Sequence, residues 1–234
     1  MTYVKITLIG LYTLFLSVFA LLCSLVDRSF KSYFLISKLF ASGVLGIAGV
    51  KLKVTGIENL EPDKIYIYVS NHSSMFDIPA LLAAFPGRVS IIYKKELSRI
   101  PVFGWQLRTG PFISIDRQKA ESAMGSIERA KQRMTKNKFS VILFAEGTRS
   151  KTGEIQPFKR GAFYLAAKVR FPIVPVTING ASKLLPKGKL NIKGGEIMVH
   201  FSKPIVFDEL KTKNDELKLM DDVRNEILKN YQGA

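Results

Sequence analysis

The sequence predicts an α/β fold, a mostly parallel sheet flanked by helices and preceded by an N-terminal apolar two-helix membrane anchor. Three observations predict it. Short apolar runs alternate with helical stretches after Val50, polar residues gather just beyond those runs, and 21 residues from Ile6 to Val26 carry no charge. Alternation of this kind is the pattern of strands joined by crossover helices. With 234 residues and 47% hydrophobic content, the chain suits one domain of ordinary size plus an apolar segment, divided here as 1–50 and 51–234.

The first run, ITLIGLYTLFLSVFALLCSLV, reaches roughly 30 Å as a helix, enough to cross a bilayer. A cleaved signal peptide is the rival reading, but the run is long for one and a second apolar stretch follows it. That stretch, Tyr33 to Val50, is apolar except for Lys38 and rich in Gly, Ala and Ser, which permit close helix contact. Lys38 can snorkel to headgroups only from a shallow, tilted or end-anchored helix. A hairpin in one leaflet is therefore expected, against true spans and against packing of both helices on the core.

Strands are expected at Ile65–Ser70, Val89–Tyr93, Phe112–Ile115, Ser140–Ala145, Ile173–Ile178 and Glu196–Phe201. Helices are expected at Ile78–Ala84, Lys119–Thr135 and Gly161–Val169, with an amphipathic surface helix from Asn214 to Tyr231. In such folds ligands collect at the carboxyl ends of the strands. The residues standing there are Asn71, His72 and Asp77, then Asp116 and Arg117, then Glu146, Gly147, Thr148 and Arg149, then Asn179 and Gly180.

Charge and composition narrow the chemistry. The formal charge is +16, and residues 208–234 are slightly acidic, so the basic field belongs to the preceding 207 residues. A positive field attracts phosphate-bearing partners, whether nucleic acid, anionic lipid or a phosphorylated substrate. No basic helix interleaved with aromatics is present, which argues against nucleic acid. The single cysteine, Cys23, excludes an internal disulfide or a cysteine-ligated metal site. Loops with GxGxxG or GxxxxGK[ST] spacing are absent, as is a GxSxG elbow.

In NHSSMFD, His72 leaves an apolar strand and Asp77 stands five residues later, where an N-cap aspartate and Pro79 suit a helix start. If SSMF turns, the carboxylate folds back on one imidazole nitrogen and leaves the other as a general base. A surface histidine beside a helix cap is the alternative. With no nucleophile in view, such a base would activate a hydroxyl of the substrate. In LFAEGTRSKTG, Arg149 offers a planar fork for phosphate and Gly147 lets backbone approach a ligand. Arg117, Lys94, Lys95 and Lys159 are further phosphate candidates, each also readable as a solvated surface charge. His200 reads as an exposed strand residue. The lysines of KLLPKGKLNIK, Lys183, Lys187, Lys189 and Lys193, have no acid among them and suit either anionic headgroups or a solvated loop.

Taken together, the blocks NHSSMFD, GPFISIDR, FAEGTR and VPVTING resemble the four blocks of the glycerolipid acyltransferase family in order, most closely the bacterial 1-acyl-sn-glycerol-3-phosphate acyltransferases. Ala145 departs from the family by replacing the proline usual before the glutamate. The resemblance implies transfer from an acyl thioester, acyl-CoA or acyl carrier protein, to the sn-2 hydroxyl of lysophosphatidic acid, giving phosphatidic acid. It assigns His72 and Asp77 to catalysis, and Arg117, Glu146, Gly147, Thr148 and Arg149 to the phosphate and glycerol. It requires no metal or cofactor; the apolar start and the basic remainder lead us to expect residence at the inner membrane with the domain on the cytoplasmic side, by analogy with the positive-inside bias. Glycerol 3-phosphate or another lysophospholipid is the alternative acceptor, and a basic membrane- or polyanion-binding protein the alternative outside catalysis.

Overall fold

The computed structural model describes residues 1–115, 130–210 and 212–233. Among the described residues seven strands form one sheet in the order β1-β7-β6-β2-β5-β3-β4. They are β1 (Val50–Thr55), β2 (Ile67–Ser70), β3 (Val89–Lys94), β4 (Ile113–Ile115), β5 (Ser140–Phe144), β6 (Ile173–Asn179) and β7 (Gly195–Phe201). All neighbours run parallel except β6 and β7. The expected strands are present with ends shifted by one or two residues, three shorter and three longer, and one was missed. β1 reads VKLKVT, a strict alternation that is itself a strand signal, with exposed lysines on one side as suits an edge strand.

The helices are α1 (Thr2–Val26), α2 (Lys31–Ala48), α3 (Asp77–Ala84), α4 (Phe103–Thr109), a helical segment at 130–137 (α5), α6 (Arg160–Val169), the short α7 (Ala181–Leu184) and α8 (Lys213–Lys229). Of the helix expected at Lys119–Thr135, residues 119–129 lie outside the described residues, as does Arg117. α4 was not expected. α8 starts in a capping box, Thr212 with Asp215, and buries Leu219, Val223 and Ile227 at four-residue spacing.

The central strands β2, β5 and β6 are buried on both faces because helices cover both. Along β2, Ile67 and Val69 join a core with α5, α6 and α8, while Tyr68 joins the opposite core with α2 and α3; along β5, Val141 and Leu143 take the first side and Ile142 the second. This period of two fixes the register, since a one-residue slip would exchange the two faces. β3, β4 and β5 lie on one side of β2, and β6, β7 and β1 on the other. The order thus reverses at β2, and the crevice at its carboxyl end is where such folds bind ligands.

The two apolar helices differ. α1 keeps a broad apolar face exposed, including Leu11, Phe15, Leu22 and Leu25, and is long and apolar enough to cross a membrane. α2 is instead a helix of the domain: it buries Ala41, Val44, Leu45 and Ala48 in the core shared with α3 and the sheet. Lys38 donates to the Pro86 carbonyl at 3.3 Å, so a bond to the domain replaces the expected reach to headgroups. The expected two-helix anchor is therefore one candidate anchor helix resting on a core helix. Small residues do let the pair approach: the Tyr12 ring occupies the space where a Cβ on Gly43 would stand, and its hydroxyl donates to Leu39 O. Asp27 ties the connecting turn by accepting from the backbone of Ser29 and Ser32, each at 2.9 Å.

β6 ends at Gly180, where φ is 85° and a Cβ would lie 2.6 Å from the Glu196 carbonyl oxygen on β7. Both the backbone angle and the close approach require glycine. A Gly180→Ala variant is expected to lose at least ~1–2 kcal/mol from the left-handed conformation alone, seen as a lowered midpoint in thermal unfolding followed by circular dichroism.

Candidate active site

The turn after β2 begins with Asn71, whose side chain extends the sheet where the backbone ladder stops. Its Nδ2 donates to Ile178 O and its Oδ1 accepts from Ile178 N, both at 2.9 Å. This amide, 1% exposed, satisfies two backbone groups of β6 that burial would otherwise leave unpaired. It fixes the point from which His72 departs.

Asp77 is the first residue of α3, not the N-cap that the sequence suggested; Phe76 holds that place. The carboxylate turns back instead. Its Oδ2 accepts from His72 Nδ1 at 2.7 Å, Ser73 N at 2.7 Å and Ser74 N at 2.8 Å. One fully buried oxygen thereby shapes the SSMF turn and orients the imidazole, and its charge at the N-terminus of α3 is favoured by the helix dipole. With Nδ1 facing the carboxylate, Nε2 is the nitrogen that can take up a proton. The ring stacks on Phe144, at the end of β5, with centroids 3.9 Å apart and planes at 18°. Two rotations of the imidazole are thus restrained, one by the carboxylate and one by the phenyl face.

Glu146, expected to place the glycerol or the loop around it, makes its contacts with the loop. It is 2% exposed, and both oxygens are committed to the protein: Oε1 accepts from His72 N at 2.8 Å, and Oε2 from Gln156 Nε2 at 3.0 Å and Gln156 N at 3.3 Å. Four residues on, Ser150 N donates to His72 O at 2.8 Å. The loop after β5 therefore grips the peptide groups of His72 on both sides. Gly147, with φ of 71°, makes the tight turn that allows it.

The remaining candidates divide. Arg149 is half-buried and lines an apolar cavity of about 420 Å³, to which α1, α2, α3 and α4 contribute Leu16, Val44, Leu82 and Leu107. Met75 and Phe76 of the His72 turn border the same cavity. Thr148 is exposed, and its Oγ1 accepts from Lys187 Nζ at 3.3 Å. The Lys159 side chain lies against Gly147 at the start of α6. Lys94 and Lys95 are exposed at the end of β3, with Lys94 drawn 3.2 Å from Glu96. His200 lies on β7, away from these groups, with Nδ1 2.9 Å from Thr55 Oγ1. Sequence reasoning missed Phe144, Ser150 and Gln156. Among the described residues no group of three or more His, Cys, Asp or Glu is arranged to hold a metal ion.

Burial pushes the Glu146 carboxyl above its ordinary value, against the pull of its bonds to His72 and Gln156. A carboxyl raised on folding stabilises the fold below its ordinary range, and that contribution is lost as pH rises through the raised value. A Glu146→Gln variant cannot accept from all three N–H groups, because its amide nitrogen must face one of them. It is expected to flatten this part of the stability profile above the ordinary carboxylate range, measured by urea unfolding as a function of pH, while losing about 1–3 kcal/mol through the mismatched donor.

Comparison with known proteins bears on these residues as a set. A family model described as Acyltransferase matches residues 51–179, more than half of the chain and the span containing His72, Asp77, Arg117, Glu146 and Arg149. The 1-acyl-sn-glycerol-3-phosphate acyltransferase of Saccharomyces cerevisiae is 32% identical over 211 residues, 89% of this chain and 69% of that protein. The alpha form from Homo sapiens is 30% identical over 218 residues, 93% and 76% of the two chains. The crystal structure of the 1-acyl-sn-glycerophosphate (LPA) acyltransferase PlsC from Thermotoga maritima superposes with a TM-score of 0.77 at 25% identity, covering 98% of this chain and 95% of that one. On the matched span, and on relatives that align over most of their own length, this chain belongs to the acyltransferase family.

Proposed function

We propose that the protein transfers an acyl chain from an acyl thioester to the sn-2 hydroxyl of 1-acylglycerol 3-phosphate, forming phosphatidic acid. The observation that carries this is the His72–Asp77 pair at the carboxyl end of β2, in a turn whose Met75 and Phe76 border an apolar cavity that has Arg149 in its wall. The relatives' names support the acceptor.

The acceptor hydroxyl gives its proton to His72 Nε2 as its oxygen attacks the thioester carbonyl carbon. Asp77 steadies the imidazolium that forms. The tetrahedral intermediate then collapses, the carbon–sulfur bond breaks, and the imidazolium returns the proton to the departing thiolate. The ester bond replaces the thioester, and His72 ends as it began. No covalent enzyme intermediate is needed. The carrier is coenzyme A or acyl carrier protein, and its negative charge suits the basic domain.

Arg149, with Arg117 as a second candidate, holds the acceptor phosphate, and the apolar cavity holds an acyl chain. Residence at a membrane follows from the substrates, which are insoluble, and from the exposed apolar face of α1. Burying that face in the inner leaflet sets the basic domain on the cytoplasmic surface, where anionic lipids attract it.

His72→Ala is expected to lower kcat by a factor of at least ~10³, and Asp77→Asn by about 10³–10⁴ through loss of the correct tautomer. The assay follows phosphatidic acid from lysophosphatidic acid and a long-chain acyl-CoA in detergent micelles, with membrane binding and circular dichroism as controls for folding. Retained turnover would overturn the assignment of the base. In the cavity wall, Val44→Phe is expected to shift preference toward shorter chains, read as the ratio of kcat/KM for short and long acyl substrates.

A further inference from the structure

Beyond α7 the chain returns to the site. Pro186 forms an antiparallel bridge with Ser74 of the His72 turn, and Ser74 Oγ donates to Leu185 O at 2.8 Å. Lys189 N then donates to Pro186 O at 3.2 Å, closing a β-turn whose third residue is Gly188 with φ of 81°. Its second residue, Lys187, donates through Nζ to Arg149 O at 2.6 Å and to Thr148 Oγ1 at 3.3 Å. The turn is therefore bound on one side to the loop that shapes the base and on the other to the loop that carries Arg149. Leu185, Lys189, Leu190 and Ile192 follow as one wall of the apolar cavity.

Charge makes the arrangement specific. Arg149 and Lys189 are the only Lys, Arg, Asp or Glu among the described residues lining that cavity. Two cations, and no acid, thus border a space otherwise suited to hydrocarbon. An amphiphile with an acyl chain and a phosphate monoester matches this distribution, because the chain takes the apolar wall while the dianion stays between the cations. A neutral glyceride would leave both cations uncompensated.

We propose that the Pro186–Lys189 turn is part of the acceptor site: Lys189 contacts the acceptor phosphate together with Arg149, and Lys187 is a positioning residue that holds the Thr148–Arg149 backbone. The proposal rests on the acceptor reading given above. It also changes the role of the basic segment: Lys187 and Lys189 serve the substrate, whereas Lys183 and Lys193 line no part of the cavity.

The test uses the full chain in detergent micelles, comparing wild type with Lys189→Gln, Lys187→Gln, Lys187→Arg and, as a control for bulk charge, Lys183→Gln. Steady-state rates are measured with acceptor and donor varied in turn, and equilibrium binding compares 1-acylglycerol 3-phosphate with the 1-acylglycerol of the same chain. Lys189→Gln is expected to raise the acceptor KM about tenfold and to cut the binding preference for the phosphorylated ligand by a similar factor, with kcat and donor KM within about twofold. Lys187→Gln is expected to lower kcat/KM for the acceptor, with Lys187→Arg restoring most of it. Lys183→Gln is expected to match wild type. If Lys189→Gln leaves the preference intact, behaves like Lys183→Gln, or raises only the donor KM, the assignment of the turn is wrong while the acceptor reading stands. A wild type that neither binds the phosphorylated ligand preferentially nor acylates it would overturn both.

Discussion

The structure depends on how the peptide of His72 is held. Its N–H meets the Glu146 carboxylate and its carbonyl meets Ser150 N, each at 2.8 Å, so the loop after β5 clasps the first residues after β2. Those strands are parallel neighbours at the centre of the sheet, and Asn71 fastens the same turn to β6 on the other side. A base on a loop is only as well placed as its backbone, and misplacement of about 1 Å can cost two orders of magnitude in rate. Here the loop is tied to three central strands before the side chain makes any contact.

From this constraint the other groups take their places. Asp77 spends one oxygen on the imidazole and on two backbone N–H groups, so the same charge that orients the base also folds its turn. Glu146 accepts the cost of burial, visible as its raised carboxyl, to anchor the clasp. The next residues of that loop, Thr148 and Arg149, face Lys187 and the apolar cavity. The proposed base, the proposed phosphate ligand and the apolar wall are therefore parts of one bonded unit, which is what a reaction between two amphiphiles at an interface requires.

The sequence made the chemistry more legible than the roles. The blocks around His72 and Glu146 were readable because polar residues after apolar runs mark strand ends, and His72 with Asp77 was readable as a pair. The acceptance of His72 N by Glu146 was not, because residues 74 positions apart meet only through strand pairing. Nor was the turn at Lys187, whose lysines look like any solvated basic loop until Arg149 O is found beside one of them. In the fold, the packing of α2 on the sheet was not legible, since a helix buried against a sheet and one buried in lipid are equally apolar; Lys38 with Pro86 and the buried Ala41 and Ala48 show its inner face on the domain. β1 escaped notice although VKLKVT alternates, because five of its six residues are half-exposed or exposed.

The central claim is that Glu146 acts through the placement of His72, and a double-mutant cycle measures it. Turnover of lysophosphatidic acid is compared among wild type, His72→Ala, Glu146→Gln and the double variant. If Glu146 works through His72, its substitution lowers kcat in the wild type and changes it by less than about twofold once His72 is gone. Equal losses in both backgrounds would show that Glu146 acts on the substrate independently, and would contradict the account.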